Sequence, residues 1–252
     1  MLSLKNKNPI LLGCLWVGAS LAAPLAAQAS PIVSMELTGV KGPSLGGNDT
    51  GPYFAQIGPQ GLTQGSQLTA QNSHSAAVFC DDLYDDVSLG QLWQATVTNM
   101  SALSSSSPLT HLMFDAGNAA SQEKNYMAAA WLAEQITNQN QSLSWGQQTA
   151  EQDSYALWYI FDPNALTGLT TADSDAAMNA YDAALAAVAN DTPQDFSNVN
   201  IYTPLHDTPG SADSQEYIAV DAPEPGTLAL MTMGLAGLAW MARRRRQPRS
   251  PV

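Results

Sequence analysis

Histidine, cysteine and basic residues are scarce in this chain of 252 residues, and each shortage argues against a class of function. The three histidines, His74, His111 and His206, do not lie at the spacing of paired metal ligands, so each is interpreted as an isolated polar residue. The sequence contains no Gly-x-Ser-x-Gly elbow, phosphate-binding glycine loop or Cys-x-x-Cys pair. We therefore predict no metal site, no cofactor and no enzymatic activity.

The N-terminus has the three parts of a secretory signal peptide. Two lysines precede an apolar stretch from Ile10 to about Leu25, and small residues, Ala27 and Ala29, follow at the two positions that signal peptidase reads. We predict that residues 1–29 are removed during export. A lipidation signal ending at Cys14 is the alternative, but only a few apolar residues precede that cysteine.

The region left after this cleavage, residues 30–221, is long enough for one domain with its own core. It contains 21 acidic residues and two lysines, which gives a formal charge of −19. Such a charge repels nucleic acid and other anionic polymers. Cys80 is its single cysteine, so no disulfide can form within the domain. We predict an exported acidic domain that does not bind nucleic acid.

The C-terminus carries a second targeting segment, at residues 222–246. A Pro-Glu-Pro motif is followed by a charge-free run of 17 residues, which is at the short limit for a transmembrane helix. Four arginines come next; they cannot cross a bilayer, so they hold this end and the tail 247–252 in the cytoplasm. The motif consists of Pro223, Glu224 and Pro225, and the membrane stop of Arg243, Arg244, Arg245 and Arg246.

These residues resemble the PEP-CTERM sorting signal of Gram-negative bacteria, which combines the same motif, helix and arginines in this order. The resemblance implies that the membrane enzyme exosortase recognises the Pro-Glu-Pro motif and that the chain is anchored transiently in the inner membrane. It also implies delivery to the cell surface or to an exopolysaccharide matrix. It does not indicate what the exported domain does there.

Alternating apolar residues predict β-strands in the first half of the exported domain. The candidates are residues 33–40, 76–80 and 87–97. Residues 41–75 are rich in Gly, Pro, Gln, Ser and Asn, and we predict loops with short irregular strands there.

The middle of the domain has helical spacing, and strands return after it. Helices are predicted at 121–137, with Ser121 as N-cap, at 147–161, and at 171–189. Further strands are predicted at 199–202 and 217–220. This order predicts an α+β domain in which an insert of about three helices packs against a β-sandwich or barrel. A signal helix precedes the domain and a transmembrane helix follows it.

Carboxylates are the remaining candidates for a chemical site. Asp81, Asp82, Asp85 and Asp86 form a cluster without the alternating spacing of a calcium loop, so a solvated acidic turn is the preferred interpretation. A secreted hydrolase using Asp81, Asp82 or Glu151 is an alternative. It would need two carboxyl groups that converge in a cleft with separated pKa values.

A second resemblance surrounds Cys80. Residues 78–83 (Val-Phe-Cys-Asp-Asp-Leu), 130–132 (Ala-Trp-Leu) and 156–158 (Ala-Leu-Trp) are similar to the thioester domains of bacterial surface adhesins and of a group of PEP-CTERM proteins. In that family a strand cysteine is joined to a glutamine four residues before a helical tryptophan. An amine on another surface attacks the thioester, which gives a covalent anchor. The resemblance implies a thioester through Cys80.

The chain departs from that family at the glutamine position. Ser154 lies four residues before Trp158 and has no acyl group with which to form a thioester. The nearest glutamine, Gln152, lies two residues further back and about 200° around a helix. Either the bond is absent and the domain is a scaffold, or Gln152 forms it through a local distortion. We predict a non-enzymatic surface or matrix protein with an adhesive or structural role, and covalent adhesion through Cys80 is the alternative.

Overall fold

The computed structural model describes residues 30–221, except for 63–67, 70, 84, 105–108, 110–111, 115–117, 143–147 and 206–213. The predicted signal peptide, the Pro-Glu-Pro motif, the predicted transmembrane helix and the arginines lie outside these residues, as do His111 and His206. Among the helices that the structure describes, none is long and apolar enough to cross a membrane.

Six strands form a closed antiparallel barrel, and two shorter strands form a hairpin beside it. The barrel order is β1-β4-β5-β8-β7-β6. In chain order the strands are β1 (Ile32–Val40), β2 (Ser44–Leu45), β3 (Asn48–Asp49), β4 (Tyr53–Pro59), β5 (His74–Cys80), β6 (Leu92–Asn99), β7 (Val199–Pro204) and β8 (Tyr217–Val220).

Three α-helices are inserted between β6 and β7 and pack on one side of the barrel. They are α1 (Ala119–Ser142), α2 (Gln148–Phe161) and α3 (Thr171–Ala187). Short 3-10 helices lie at Met100–Ala102, Val188–Asn190 and Pro193–Phe196. Thr170 caps α3, because its hydroxyl accepts a hydrogen bond from the Asp173 N–H at 3.2 Å.

The buried residues form two cores, one between the barrel and the helices and one inside the barrel. Both cores include residues of the same strands, because successive side chains of a strand point to opposite faces. Ile201 and Ile218 are paired neighbours on β7 and β8 and pack against the helices. The next pair, Tyr202 and Tyr217, lies inside the barrel with Trp93. Each of these side chains is at least nine-tenths buried, and burial of one large apolar side chain stabilises a fold by about 1.5–3 kcal/mol.

The predicted α+β order is confirmed, and the structure selects a barrel for its β part. One local prediction was incomplete and another was wrong. Residues 41–75 include a full barrel strand, β4, whose Tyr53, Ala55 and Ile57 are buried at alternate positions. Ser121 is not the cap of α1; the Asn118 side chain accepts from the Ser121 N–H at 2.9 Å and so occupies the capping position. β4 was not predicted because the composition of residues 41–75 is polar. The cap of α1 was misplaced because Asn118, three residues before Ser121, is the residue that caps the helix.

Candidate functional site

The candidate site lies at one mouth of the barrel. The end of β1, the start of β4, the end of β5 and the start of β8 meet there, since Val40 pairs with Tyr53 and Cys80 pairs with Tyr217. The segments that leave these strands carry the acidic residues of the cluster at 81–86. The mouth therefore collects side chains that are far apart in sequence.

The β2–β3 hairpin stands over this mouth and is attached to α2. Its two turn residues, Gly46 and Gly47, have φ angles of 62° and 92°, as a type I′ turn requires. The Tyr155 hydroxyl donates to the Leu45 carbonyl at 2.7 Å and accepts from Asn48 Nδ2 at 3.1 Å. These bonds fix the hairpin relative to the helices.

Cys80 is buried at this end of the barrel interior. Its thiol donates to the Asp82 carbonyl, and the Asp82 N–H donates to the sulfur at 3.3 Å. Burial, with the neighbouring carboxyl groups of Asp81 and Asp82, raises the pKa of the Cys80 thiol well above its usual value, and the Asp82 backbone and the Trp158 indole N–H offset this only in part. The thiol is therefore neutral at pH 7 and a weak nucleophile.

Trp158 lies beside Cys80, but the two other residues of the proposed thioester motif are bonded within the helical layer. Ser154 is buried and its hydroxyl donates to the Ala150 carbonyl at 3.0 Å. The side-chain amide of Gln152 faces Asp173 Oδ1 at 3.5 Å, at the start of α3. The structure thus brings the tryptophan to the cysteine and holds the glutamine amide against another helix.

A buried carboxyl pair, Asp81 and Glu216, lies next to Cys80. Glu216 Oε1 accepts from the Tyr126 hydroxyl at 2.6 Å, and Oε2 accepts from the Met113 N–H at 3.0 Å and from the Thr203 hydroxyl. Glu216 is fully buried and Asp81 is 1% exposed. Glu216 directly precedes β8, and Asp81 directly follows β5. Through Thr203 and Tyr126, Glu216 is also bonded to β7 and α1.

The two buried carboxyl groups differ in how their surroundings shift their pKa values. Burial raises the pKa of both carboxyl groups, and the charge of Glu216 raises that of Asp81 further. Hydrogen bonds from Thr203, Tyr126 and Met113 lower the pKa of Glu216 in part. Asp81, which is buried beside the charge of Glu216, is therefore the carboxyl of the pair that is more readily protonated. Sequence analysis missed Glu216, because one glutamate before a strand has no motif around it.

The predicted solvated acidic turn is only partly correct. Asp81 and Asp82 are buried, whereas Asp86 is exposed. Glu151, the third carboxylate of the hydrolase alternative, lies on α2, where burial and the charge of Asp173 raise its pKa. Within the described parts of the chain, no three His, Cys, Asp or Glu side chains are grouped to hold a metal ion. His74, the described histidine, is exposed on β5.

A cavity of about 320 Å³ opens at the barrel mouth, beside Asp82 and Trp158. Its polar and aromatic lining comes from the hairpin, β4, the acidic cluster, α2 and the segment before β8. The side chains are those of Asn48, Asp49, Tyr53, Asp82, Asp86, Trp158 and Gln215. Leu37, Val40, Leu83 and Val87 form its apolar part.

Comparison with known proteins finds a match at the end of the chain. Residues 221–246, about a tenth of the chain, match the PEP-CTERM protein-sorting motif. The motif implies an exported protein that exosortase sorts and processes. A search of curated proteins finds no similar sequence. The first matched residue, Asp221, is part of the fold: its N–H donates to the Asn198 carbonyl at 2.8 Å and its Oδ2 accepts from Asn200 Nδ2 at 2.9 Å.

Proposed function

We propose that this exported, exosortase-sorted protein is a non-enzymatic adhesion or structural protein at the cell surface, or in the extracellular matrix, of a Gram-negative bacterium. The observation that carries the proposal is the direct continuity between the barrel and the sorting motif. β8 ends at Val220, Asp221 is hydrogen-bonded to the barrel, and Ala222 alone separates it from Pro223.

This connection suits a domain that is held by its C-terminal end. β8 is paired with β5 on one side and β7 on the other. A force applied through the sorting segment therefore loads two ladders of backbone hydrogen bonds together. The Asp81–Glu216 pair closes the other end of β8, next to Tyr217. An attached barrel of this kind presents its helical layer and its open mouth to the surroundings.

The charge of the domain limits its partners. A formal charge of −19 over residues 30–221 keeps the protein soluble and repels anionic polymers. Lys41 and Lys124 are its two basic residues, and both are exposed. Neutral or cationic partners at the surface are the ones that such a domain approaches without repulsion.

The sorting segment gives a direct test of this proposal. We expect the mature protein from its native host to begin near Ser30 and end near Pro223, because signal peptidase and exosortase remove both targeting segments. The double substitution Pro223→Ala and Pro225→Ala leaves the chain uncleaved and bound to the inner membrane. Intact mass spectrometry of membrane and released fractions measures both results.

A matched control changes the two prolines beyond the arginines. The substitutions Pro248→Ala and Pro251→Ala alter the same residue type in the predicted cytoplasmic tail and should leave processing unchanged. A full-length C-terminus in mature wild-type protein, or normal processing of the Pro223→Ala, Pro225→Ala variant, contradicts the proposed sorting.

Covalent adhesion is a second candidate, favoured by the position of Trp158 beside Cys80. In that reaction the Cys80 sulfur attacks the side-chain carbonyl carbon of Gln152, a C–S bond forms and ammonia leaves. The mature protein would then lack the mass of one ammonia and would resist alkylation after denaturation. We expect the opposite, a full mass and one alkylated thiol, because Gln152 faces Asp173 and the thiol is neutral. The Gln152→Ala variant is the control, since it cannot form the bond.

A further inference from the structure

We infer that the cavity at the barrel mouth binds one unit of a neutral saccharide. The inference rests on the proposed function, because it assigns a ligand class to a protein placed among surface polymers. It goes further in naming the site, the ligand chemistry and the residues that recognise it.

The position and construction of the cavity favour a binding site. Mouths of β-barrels are common ligand sites, and about 320 Å³ is within the range of small-molecule pockets. Its walls come from separate segments of the chain that are fixed by their own bonds. Tyr155 holds the hairpin, and Gln215 donates to the Asp82 carbonyl at 3.2 Å while accepting from Tyr217. The cavity therefore exists before a ligand arrives.

The polar lining requires a ligand that is rich in hydrogen-bond donors. Asp49 and Asp86 are exposed and lie on opposite segments, the hairpin and the acidic cluster. An ionised carboxylate only accepts hydrogen bonds. Hydroxyl groups arranged around a sugar ring supply donors in several directions, so both carboxylates can accept from one ring.

The apolar lining matches the other feature of a sugar ring, its two C–H faces. Val40 and Val87 lie at the cavity together with the ring of Trp158. A flexible polyol would lose more conformational freedom on binding than a rigid ring that carries the same hydroxyl groups. The combination of carboxylate acceptors and an apolar wall is the reason for choosing a saccharide.

Charge decides which saccharides fit. No basic side chain of the described residues lines the cavity, and two exposed carboxylates repel uronate, sulfate or phosphate groups. A cationic ligand is the competing chemistry. Salt distinguishes the two, because exposed ion pairs weaken as ionic strength rises, whereas hydrogen bonds to a neutral sugar change little.

The test uses the processed protein recovered from its host. Neutral gluco-, galacto- and manno-oligosaccharides are titrated at low and high sodium chloride, and binding is followed by calorimetry and tryptophan fluorescence. We expect saturable binding of at least one of them, independent of salt, and no binding of a polyuronate. Asp86→Asn weakens it about tenfold or more, because a hydrogen bond to a charged group is lost.

Asp85→Asn is the matched control. Asp85 is a neighbour with the same charge that does not line the cavity, so its variant should bind like the wild type. Circular dichroism verifies that both variants are folded. Glucosamine and spermidine are titrated in the same way as cationic probes. The inference is overturned by absence of saturable binding across the neutral oligosaccharides, by equal losses of binding in the two variants, or by salt-sensitive binding of the cationic probes alone. Processing at residue 223 is measured separately, so failure here leaves the proposed sorting intact.

Discussion

Replacing Glu216 with alanine is expected to lower the free energy of unfolding by about 3–5 kcal/mol, because three buried donors lose their acceptor and each costs about 1–3 kcal/mol. The substitution removes the acceptor for the Tyr126 and Thr203 hydroxyls and for the Met113 N–H. Chemical denaturation of the mature protein measures the loss.

Glu123→Ala is the control for this experiment. Glu123 lies on α1 and is half-exposed, so its removal should change stability by no more than about 0.5 kcal/mol. If the Glu216→Ala variant does not fold, Glu216→Gln gives a milder change, since its amide oxygen still accepts from two of the donors. A Glu216→Ala protein as stable as the Glu123→Ala protein would show that the buried pair does not stabilise the junction of barrel and helices.

Stability is also expected to fall as pH rises above about 4, the region where free Asp and Glu ionise. Both carboxyl groups of the pair have a raised pKa in the folded state. At a pH between a group's pKa in the unfolded chain and its higher pKa in the folded protein, the folded protein binds more protons than the unfolded chain. Raising the pH in this range therefore favours unfolding. A group with a raised pKa contributes its full stabilisation at any pH below its pKa in the unfolded chain. This stabilisation is lost as the pH rises to the group's pKa in the folded protein. One proton gives a slope of at most about 1.4 kcal/mol per pH unit.

The Asp81→Asn variant isolates this effect. Its neutral amide resembles the protonated Asp81 carboxyl and cannot ionise beside the charge of Glu216 at any pH. We therefore expect the variant to match the wild type near pH 4 and to exceed its stability at pH 7–8. Asp85→Asn is the control for the general repulsion of an acidic protein. Denaturant midpoints recorded across this range test the prediction, and parallel pH profiles for wild type and Asp81→Asn would contradict it.

Local patterns predicted most of the secondary structure correctly. Strand 217–220 was predicted with the bounds that the structure has, and the helix predicted at 147–161 is α2 to within one residue. Both segments have strong periodicity and clear ends. The predicted strand at 87–97 begins only at Leu92, because Leu89 and Gly90 form a turn and the Gly90 N–H donates to the Leu37 carbonyl.

The candidate site was less predictable, because its residues carry no joint signal. Cys80 and Trp158 were selected through a resemblance, and the structure brings them together. Glu216, Gln215 and Asn48 lie in polar segments where such residues are ordinary. Their importance comes from burial or from position at the barrel mouth, and neither property can be derived from neighbours in sequence.

The sequence by itself determined the C-terminal sorting motif, the acidic character and the order of strands and helices. These properties depend on local composition and on periodicity, which act over a few residues. Only the tertiary structure decided that the strands close into a barrel, that Asp81 and Glu216 are buried together and that a cavity opens beside Trp158. Closure pairs β1 with β6 across more than 50 residues, and β5 with β8 across more than 130. Such contacts depend on how complete surfaces fit together, because no single segment contains both partners.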